Sequence, residues 1–169
     1  ADGTNGGLAA NYSLSTGQTT TADVTAKALS VSGITASNKT YDATTTATLN
    51  TGSVTYTGLV SGDVFNGTYT GAFSDKNVGT GKTVTITPSY TGADVSNYSV
   101  TDHSTITADV AVKALTATAS AANKTYDGTT TATTTLTFTG LIGSETLGQT
   151  VGSTFDTKNY GSNKTVTVN

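Results

Sequence analysis

The chain repeats itself, and no other feature constrains its fold as much. Asn38-Lys39-Thr40-Tyr41-Asp42 returns as Asn123-Lys124-Thr125-Tyr126-Asp127, and Thr21-Ala22-Asp23-Val24 returns as Thr107-Ala108-Asp109-Val110. Val54 to Val60 matches Leu136 to Ile142, and Lys82 to Ile86 matches Lys164 to Val168. The spacing is about 85 residues throughout. It drifts because the first copy is one residue longer before its Tyr and three residues longer between Asp42 and Val54. Every lysine has a counterpart: Lys27 with Lys113, Lys39 with Lys124, Lys76 with Lys158, and Lys82 with Lys164. Two phases fit this period. In the first, residues 1–86 and 87–169 are two complete units. In the second, 1–26 is the tail of a preceding copy, 27–112 a full copy and 113–169 an incomplete one. The first phase is preferred at this stage, because orphan strands would leave backbone groups unpaired.

The patterning inside each copy is that of strands. Ala28 to Ser32, Ala114 to Ala117 and Thr83 to Thr87 alternate apolar and polar residues, the period of a strand with one wet face. Thr makes up about a quarter of the chain, and its β-branched side chain suits a pleated, half-exposed surface. No segment has convincing helical periodicity. Asn66-Gly67 between β-like triplets predicts a two-residue hairpin turn of type I′, with Gly148-Gln149 as its type II′ counterpart. Asp127-Gly128, Gly79 and Gly161 predict further turns. The expected fold is mainly β: two tandem β-sandwich (Ig-like) modules forming a rod, with small β-grasp-like modules as the alternative. The expected core is Tyr41, Tyr56, Phe73, Val84 and Tyr98 in the first copy, and Tyr126, Phe138, Phe155 and Val166 in the second.

Composition narrows function. The charged fraction is 11%, and the net charge is −3 with no Arg. No basic cluster exists to neutralise phosphates, so nucleic acid is not an expected partner. No apolar run reaches the length of a membrane span, so membrane insertion is not expected. No charged and apolar leader opens the sequence, so the chain reads as an internal piece of a longer protein. With no Cys, neither disulfides nor thiolate metal sites can form. His103 has no second His for a catalytic zinc site, and no Gly-x-Ser-x-Gly elbow is present. The acids Asp23, Asp42, Asp109 and Asp127 stand singly, without the clustering calcium favours. The Thr-x-Thr runs lack the short-coil ladder of an ice-binding face. No enzyme activity, cofactor or metal is expected.

Three phrases in this sequence resemble the YDG-type repeat domain. They are Asn-Lys-Thr-Tyr-Asp-Gly at Asn123 to Gly128, Phe-x-x-Lys-Asn-x-Gly-x-x-Lys-Thr-Val at Phe73 to Val84 and again at Phe155 to Val166, and Gly-Ala-Asp-x-x-Asn-Tyr at Gly92 to Tyr98. The first copy departs at Ala43, where the signature has Gly, and Gly6 to Tyr12 is a looser form of the third phrase without its Asp. The resemblance implies tandem arrays in very large bacterial surface proteins, many of them filamentous-haemagglutinin-like adhesins exported by two-partner secretion. It implies a secreted, cell-surface location and a role in attachment or biofilm. The leading expectation is a structural stalk or spacer whose partners are neighbouring repeats. One alternative is a module binding glycan, exopolysaccharide or a host surface. Tyr69, Tyr90 and Tyr160 could stack on sugars, but none has a Tyr counterpart in the other copy. Another alternative is a head-to-tail fibre subunit completed by strand exchange.

The sequons at Asn11, Asn38, Asn66, Asn97, Asn123 and Asn163 are candidate glycosylation sites, although a chain this rich in Ser and Thr generates such triplets by composition. Lys39 and Lys124 are candidates for an internal isopeptide bond of the kind found in surface stalks. The plainer reading is a strand end followed by an Asp-capped turn.

Overall fold

The computed structural model describes residues 4–13 and 15–169; residues 1–3, which open the expected first module, and Leu14 lie outside the described set. The fold is mainly β, and the described residues hold two short 3-10 turns, Ala9–Asn11 and Val95–Asn97, but no α-helix. Ten strands form a first unit: β1 (Lys27–Ser32), β2 (Thr35–Ala36), β3 (Lys39–Thr40), β4 (Thr46–Ala47), β5 (Leu49–Asn50), β6 (Thr55–Thr57), β7 (Asn66–Phe73), β8 (Gly79–Thr91), β9 (Tyr98–Thr101) and β10 (Thr105–Ala111). Four more follow: β11 (Thr116–Ala121), β12 (Thr134–Thr139), β13 (Ser153–Phe155) and β14 (Val166–Val168).

The first unit is organised by a five-stranded sheet in the order β3-β10-β8-β7-β4 and a three-stranded sheet in the order β6-β1-β9. β2 and β5 form a small ladder of their own, packed over β10 and β7. Most pairs are antiparallel, but β1 runs parallel to β9 and β3 parallel to β10. Such pairs need long crossovers, and here nearly the whole unit separates the partners. Alternation produces two cores. Ala47, Phe73, Val84, Ala108 and Val110 are buried on the five-stranded sheet, with Leu49 and Ile106 packed against them. Leu29, Phe65 and Tyr98 are buried at the other end, ringed by Tyr56, Tyr90 and Val100. β8 is long enough to serve both. Its Pro88 lies past Thr85, the last residue of the strand that pairs with β10. The missing N–H would point to the same side as that of Ile86, which donates to Ser104, so Pro88 loses no ladder bond there.

The second unit repeats the first unit's registers. Thr116↔Thr139 reproduces Ser30↔Thr57, Ser153↔Val168 reproduces Gly71↔Ile86, and the bridge Thr131↔Thr154 reproduces Thr46↔Ala72. The length differences seen in the sequence explain the one change of pattern. In the first unit the extra residues make the turn Thr51–Val54 and break one long hairpin into β1/β6 and β2/β5; without them, β11 and β12 pair without interruption.

Three expectations are corrected. A boundary between residues 86 and 87 falls inside β8, whereas strand pairing closes over 27–111, with 113–169 as a second and shorter set. The Asn66-Gly67 turn does not form: both residues are in β7, paired with Thr91 and Tyr90, and the hairpin turns instead between Phe73 and Gly79. Gly67 serves packing, since a Cβ there would lie 2.3 Å from the Tyr69 hydroxyl and 2.8 Å from that of Tyr56. Gly148-Gln149 forms no turn between strands either. The Gln149 side chain lies along β12, its Oε1 accepting from the Leu136 N–H at 2.9 Å and its Nε2 donating to the Leu136 carbonyl at 2.6 Å.

Of the expected core residues, Phe73, Val84 and Tyr98 are buried, and Tyr41 and Tyr56 are half-buried. In the second unit Phe138, Phe155 and Val166 are half-buried, and Tyr126 is 62% exposed. Among the described residues no strand pairs with β14 as β10 pairs with β8. Phe73→Ala is therefore expected to cost about 3–4 kcal/mol, and Phe155→Ala clearly less, as urea denaturation of the two variants would show.

Candidate functional site

The signature residues converge on two loops and one β-bulge. In the first loop the Lys39 ammonium donates to Asp42 Oδ1 at 2.8 Å, to the Thr44 carbonyl at 2.8 Å, to Thr44 Oγ1 at 3.1 Å and to the Thr46 carbonyl at 3.0 Å. Lys124 repeats the set with Asp127, Thr129 and Thr131, at 2.8 to 3.0 Å. Each ammonium also faces an aromatic ring, Phe73 at 5.3 Å and Phe155 at 5.6 Å. The lysine thus closes the turn after Tyr41 or Tyr126 and ties it to the core. Lys39 holds the Asp42 carboxyl down at about 2, helped by the Thr44 N–H; Lys124 and the Thr129 N–H do the same for Asp127. Joining Lys to Asp as an amide requires a protonated acid and a neutral amine. The geometry at both candidate isopeptide lysines is an ion pair with an ionised, solvent-facing carboxylate.

A second lysine pair closes the β7–β8 turn and its counterpart between β13 and β14. Lys82 meets Asp75 at 2.6 Å, and Lys164 meets Asp156 at 3.0 Å. The acid has moved one position between copies while the contact persists. Both acids are held below the usual carboxylate range, first by their lysine and then by a backbone N–H.

The β-bulge lies at Asp109 in β10, where the register with β8 shifts between Ala108 and Val110. The Asp109 carboxylate accepts from the Gly81 N–H at 2.7 Å and from Asn38 Nδ2 at 3.3 Å, while the Asp109 N–H donates to Asn38 Oδ1 at 2.7 Å. Three phrases far apart in sequence meet at this one carboxylate. Gly81 has φ +59, and Asn163 keeps that left-handed conformation in the second copy with φ 52. The phrase from Gly92 to Tyr98 is structural in the same way. A Cβ on Gly92 would lie 2.1 Å from the Val64 carbonyl, Asp94 accepts from the Val64 N–H at 2.8 Å, and Tyr98 enters the core while bonding Asp63 and the Val60 N–H.

The other expected sites are dispersed. Asn11, Asn66, Asn97, Asn123 and Asn163 are exposed; Asn38 is also exposed, but its amide is engaged by Asp109. Tyr69 and Tyr90 pack edge to face with centroids 6.1 Å apart, and Tyr90 also touches Phe65, so the two rings are turned toward the unit; Tyr160 is fully exposed. Burial first, and then hydrogen bonding to Tyr56 and Asp102 respectively, pushes both hydroxyls up. His103 is exposed, and no three His, Cys, Asp or Glu side chains gather among the described residues. No helix there is long and apolar enough to cross a membrane.

Sequence reasoning missed Glu145, which accepts from the Tyr41 hydroxyl and from Lys76 at 3.4 Å, joining the second unit to the first. Its only signal was alignment with Asp63. An apolar cleft of about 330 Å³ beside it is walled by Val78, Val112, Leu115, Leu141 and Ile142.

Two predictions test the loops. Asp42 and Asp127 have folded values near 2 against an ordinary 3.8, so the stability they contribute is complete above about pH 4 and is lost as pH falls toward 2. Acid denaturation of the Asp42→Asn, Asp127→Asn double variant should show a shallower loss of stability over that window than the parent. Ala43 has φ 63, where its counterpart Gly128 has φ 77. Ala43→Gly should therefore stabilise the first unit by about 1 kcal/mol in urea denaturation, since relief of left-handed strain outweighs the added chain entropy.

The YDG domain family matches this chain twice, at residues 25–108 and 111–169. Neither the curated proteins nor the solved structures include a match to the chain. The two matched segments meet near the junction between the strand sets, and together they take in well over half of the sequence: the chain belongs to the YDG domain family.

Proposed function

We propose that the chain is a stalk segment of a secreted bacterial surface adhesin, in which successive units act as spacers that hold a binding region away from the cell. One observation carries this reading: two of the recurring lysine pairs turn back onto loops of their own unit. Lys39, Lys82, Lys124 and Lys164 each close a turn, and Asn38, Gly81, Asp94 and Asp109 tie strands together. No buried side-chain nitrogen or oxygen among the described residues lacks a partner, so no polar group is left facing a ligand from within the core. The short connection from β10 to β11 supports the same reading, since it leaves little slack between units. Export and attachment to a cell surface, with a role in adhesion or biofilm, follow from the family resemblance and belong to this proposal.

The scale comes from β8. Its 13 residues span about 40 Å at the rise of an extended strand. Tandem proteins of two, four and six units, measured by small-angle X-ray scattering, should lengthen in proportion to unit number by about 30–40 Å per unit. They should show no saturable binding on a glycan array or to exopolysaccharide. Compaction with unit number would overturn the spacer, and saturable binding that scales with unit number would favour the glycan-binding alternative.

A further inference from the structure

Two residues of the recurring phrases meet their acid outside their own unit. Tyr41 belongs to the phrase Asn-Lys-Thr-Tyr-Asp and Lys76 to Phe-x-x-Lys-Asn-x-Gly-x-x-Lys-Thr-Val. Lys39 and Lys82, from the same two phrases, turn back on Asp42 and Asp75. Tyr41 and Lys76 instead converge on Glu145 of the second unit, which accepts from the Tyr41 hydroxyl and from the Lys76 ammonium at 3.4 Å. The same ammonium stands 6.0 Å from the centre of the Tyr41 ring, so ring, cation and carboxylate form one cluster.

Local structure builds both sides of this contact. Tyr41 follows β3; its N–H donates to the Ala111 carbonyl at 2.9 Å, and its ring packs against the first unit's core. That holds it beside the end of β10, where the chain leaves for the second unit. Lys76 sits in the turn between β7 and β8. Glu145 closes a turn of its own, its N–H donating to the Ile142 carbonyl at 3.1 Å with Gly143 at φ +58. The first unit builds the same turn, with the Asp63 N–H donating to the Val60 carbonyl at 3.2 Å, and there too it ends on an acid. Beside the cluster, Val78 and Val112 of the first unit share the cleft of about 330 Å³ with Leu141 and Ile142 of the second. The link between β10 and β11, Val112 to Leu115, contains neither Gly nor Pro.

We propose that Tyr41, Lys76 and Glu145 form the joint that sets the angle between successive units, and that the surface made by Tyr41 and Lys76 fits the acid-bearing turn of the next unit in an array. The inference rests on the spacer reading and adds to it the means by which one unit is oriented on its neighbour. The parts recur: Tyr126 and Lys158 carry the Tyr and the Lys, and Asp63 carries the acid. Each unit thus has a hydroxyl and a cation for one neighbour and a carboxylate for the other. The two surfaces differ, so the joint is heterologous and gives the array a direction. One carboxylate can serve both its unit and the joint. Asp63 receives the Tyr98 hydroxyl of its own unit on Oδ2, whereas Glu145 receives Tyr41 and Lys76 together on Oε1. The cluster is partly exposed, with side chains 48% accessible at Lys76 and 33% at Glu145, so its hold is modest. A modest hold suffices to orient two units that a short link already keeps together.

The joint can be read as a distance between units. The chain has no Cys, so Thr87→Cys in β8 and Thr137→Cys in β12, both exposed, each accept a spin label. Pulsed double electron–electron resonance on the labelled chain should give a single narrow distance distribution. Lys76→Glu sets two carboxylates against each other, and Glu145→Lys two ammonium groups. Each should broaden the distribution, shifting the ratio of joined to unjoined forms by about five-fold. The double variant restores the pair in reverse and should narrow the distribution again, a rescue that damage to the fold would not give. Tyr41→Phe keeps the ring on the core and removes only the hydroxyl, so it should broaden the distribution as well. The proposal is overturned if the parent is already as broad as the variants, or if any of the three single variants keeps the parent's distribution. It is equally overturned if the double variant stays as broad as the single charge reversals. Each of these results leaves the spacer reading in place, because that reading is decided by the lengthening of arrays and by glycan binding.

Discussion

Insertion of β10 between β3 and β8 is the interaction on which the rest of the unit depends. This strand brings Ile106, Ala108 and Val110 to the core, completes the five-stranded sheet, and delivers Asp109 to the loops carrying Asn38 and Gly81. The chain holds its own control, because the second unit has the same residues around the slot without the strand. There the ladder contracts to Val166–Val168, the Lys124–Thr125 stretch has no strand partner, and Phe155 and Val166 stay half-exposed. The far core behaves alike: Leu29 is 1% exposed where its counterpart Leu115 is 37%, and Phe65 is 7% exposed where Leu147 is 47%. With each buried aliphatic or aromatic side chain contributing about 1.5–3 kcal/mol, the closing strands are the difference between a dry core and a wet sheet.

The sparse charges do a different job. Exposed ion pairs contribute little to stability by themselves. Here the four lysines that close turns have side chains only 11 to 25% exposed, and their stems lie along apolar surface while the ammonium reaches a carboxylate. They fix the shape of loops that have no regular backbone pairing of their own. This explains how a chain with so few charges keeps a lysine at every equivalent place, and how the acid beside Lys82 and Lys164 can shift by one position without loss of the contact.

Much of this was legible in the sequence. The repeat, its length differences and the alternation around Leu29, Val31, Val84 and Ile86 led to the correct fold class and to strands in the right places, and Phe73, Val84 and Tyr98 are buried as expected. The phase was not legible, since a period is unchanged by sliding its origin; only the pairing of β1 with β9 and of β10 with β3 closes the unit at 27–111. Parallel pairing leaves no mark on apolar alternation. Asn66-Gly67 misled because a turn-favouring dipeptide competes with packing, and the crowded hydroxyls of Tyr56 and Tyr69 require a residue without a side chain. The second copy's core was misjudged because burial belongs to a neighbourhood, and no strand among the described residues flanks β14 as β10 flanks β8. The carboxylate partners of Tyr41, Tyr90 and Tyr98 escaped notice because contacts between distant segments have no sequence period.

The two parallel pairs have a mechanical consequence. Tension applied along the polypeptide enters the first unit at Lys27 and leaves at Ala111. Because β1 runs alongside β9 and β3 alongside β10 in the same direction, such a pull slides the strands lengthwise past each other. The hydrogen bonds of each ladder are then loaded together in shear, and they do not open one at a time like a zip. The bond that joins the end of the chain segment to its beginning is thereby also the clamp that resists its extraction.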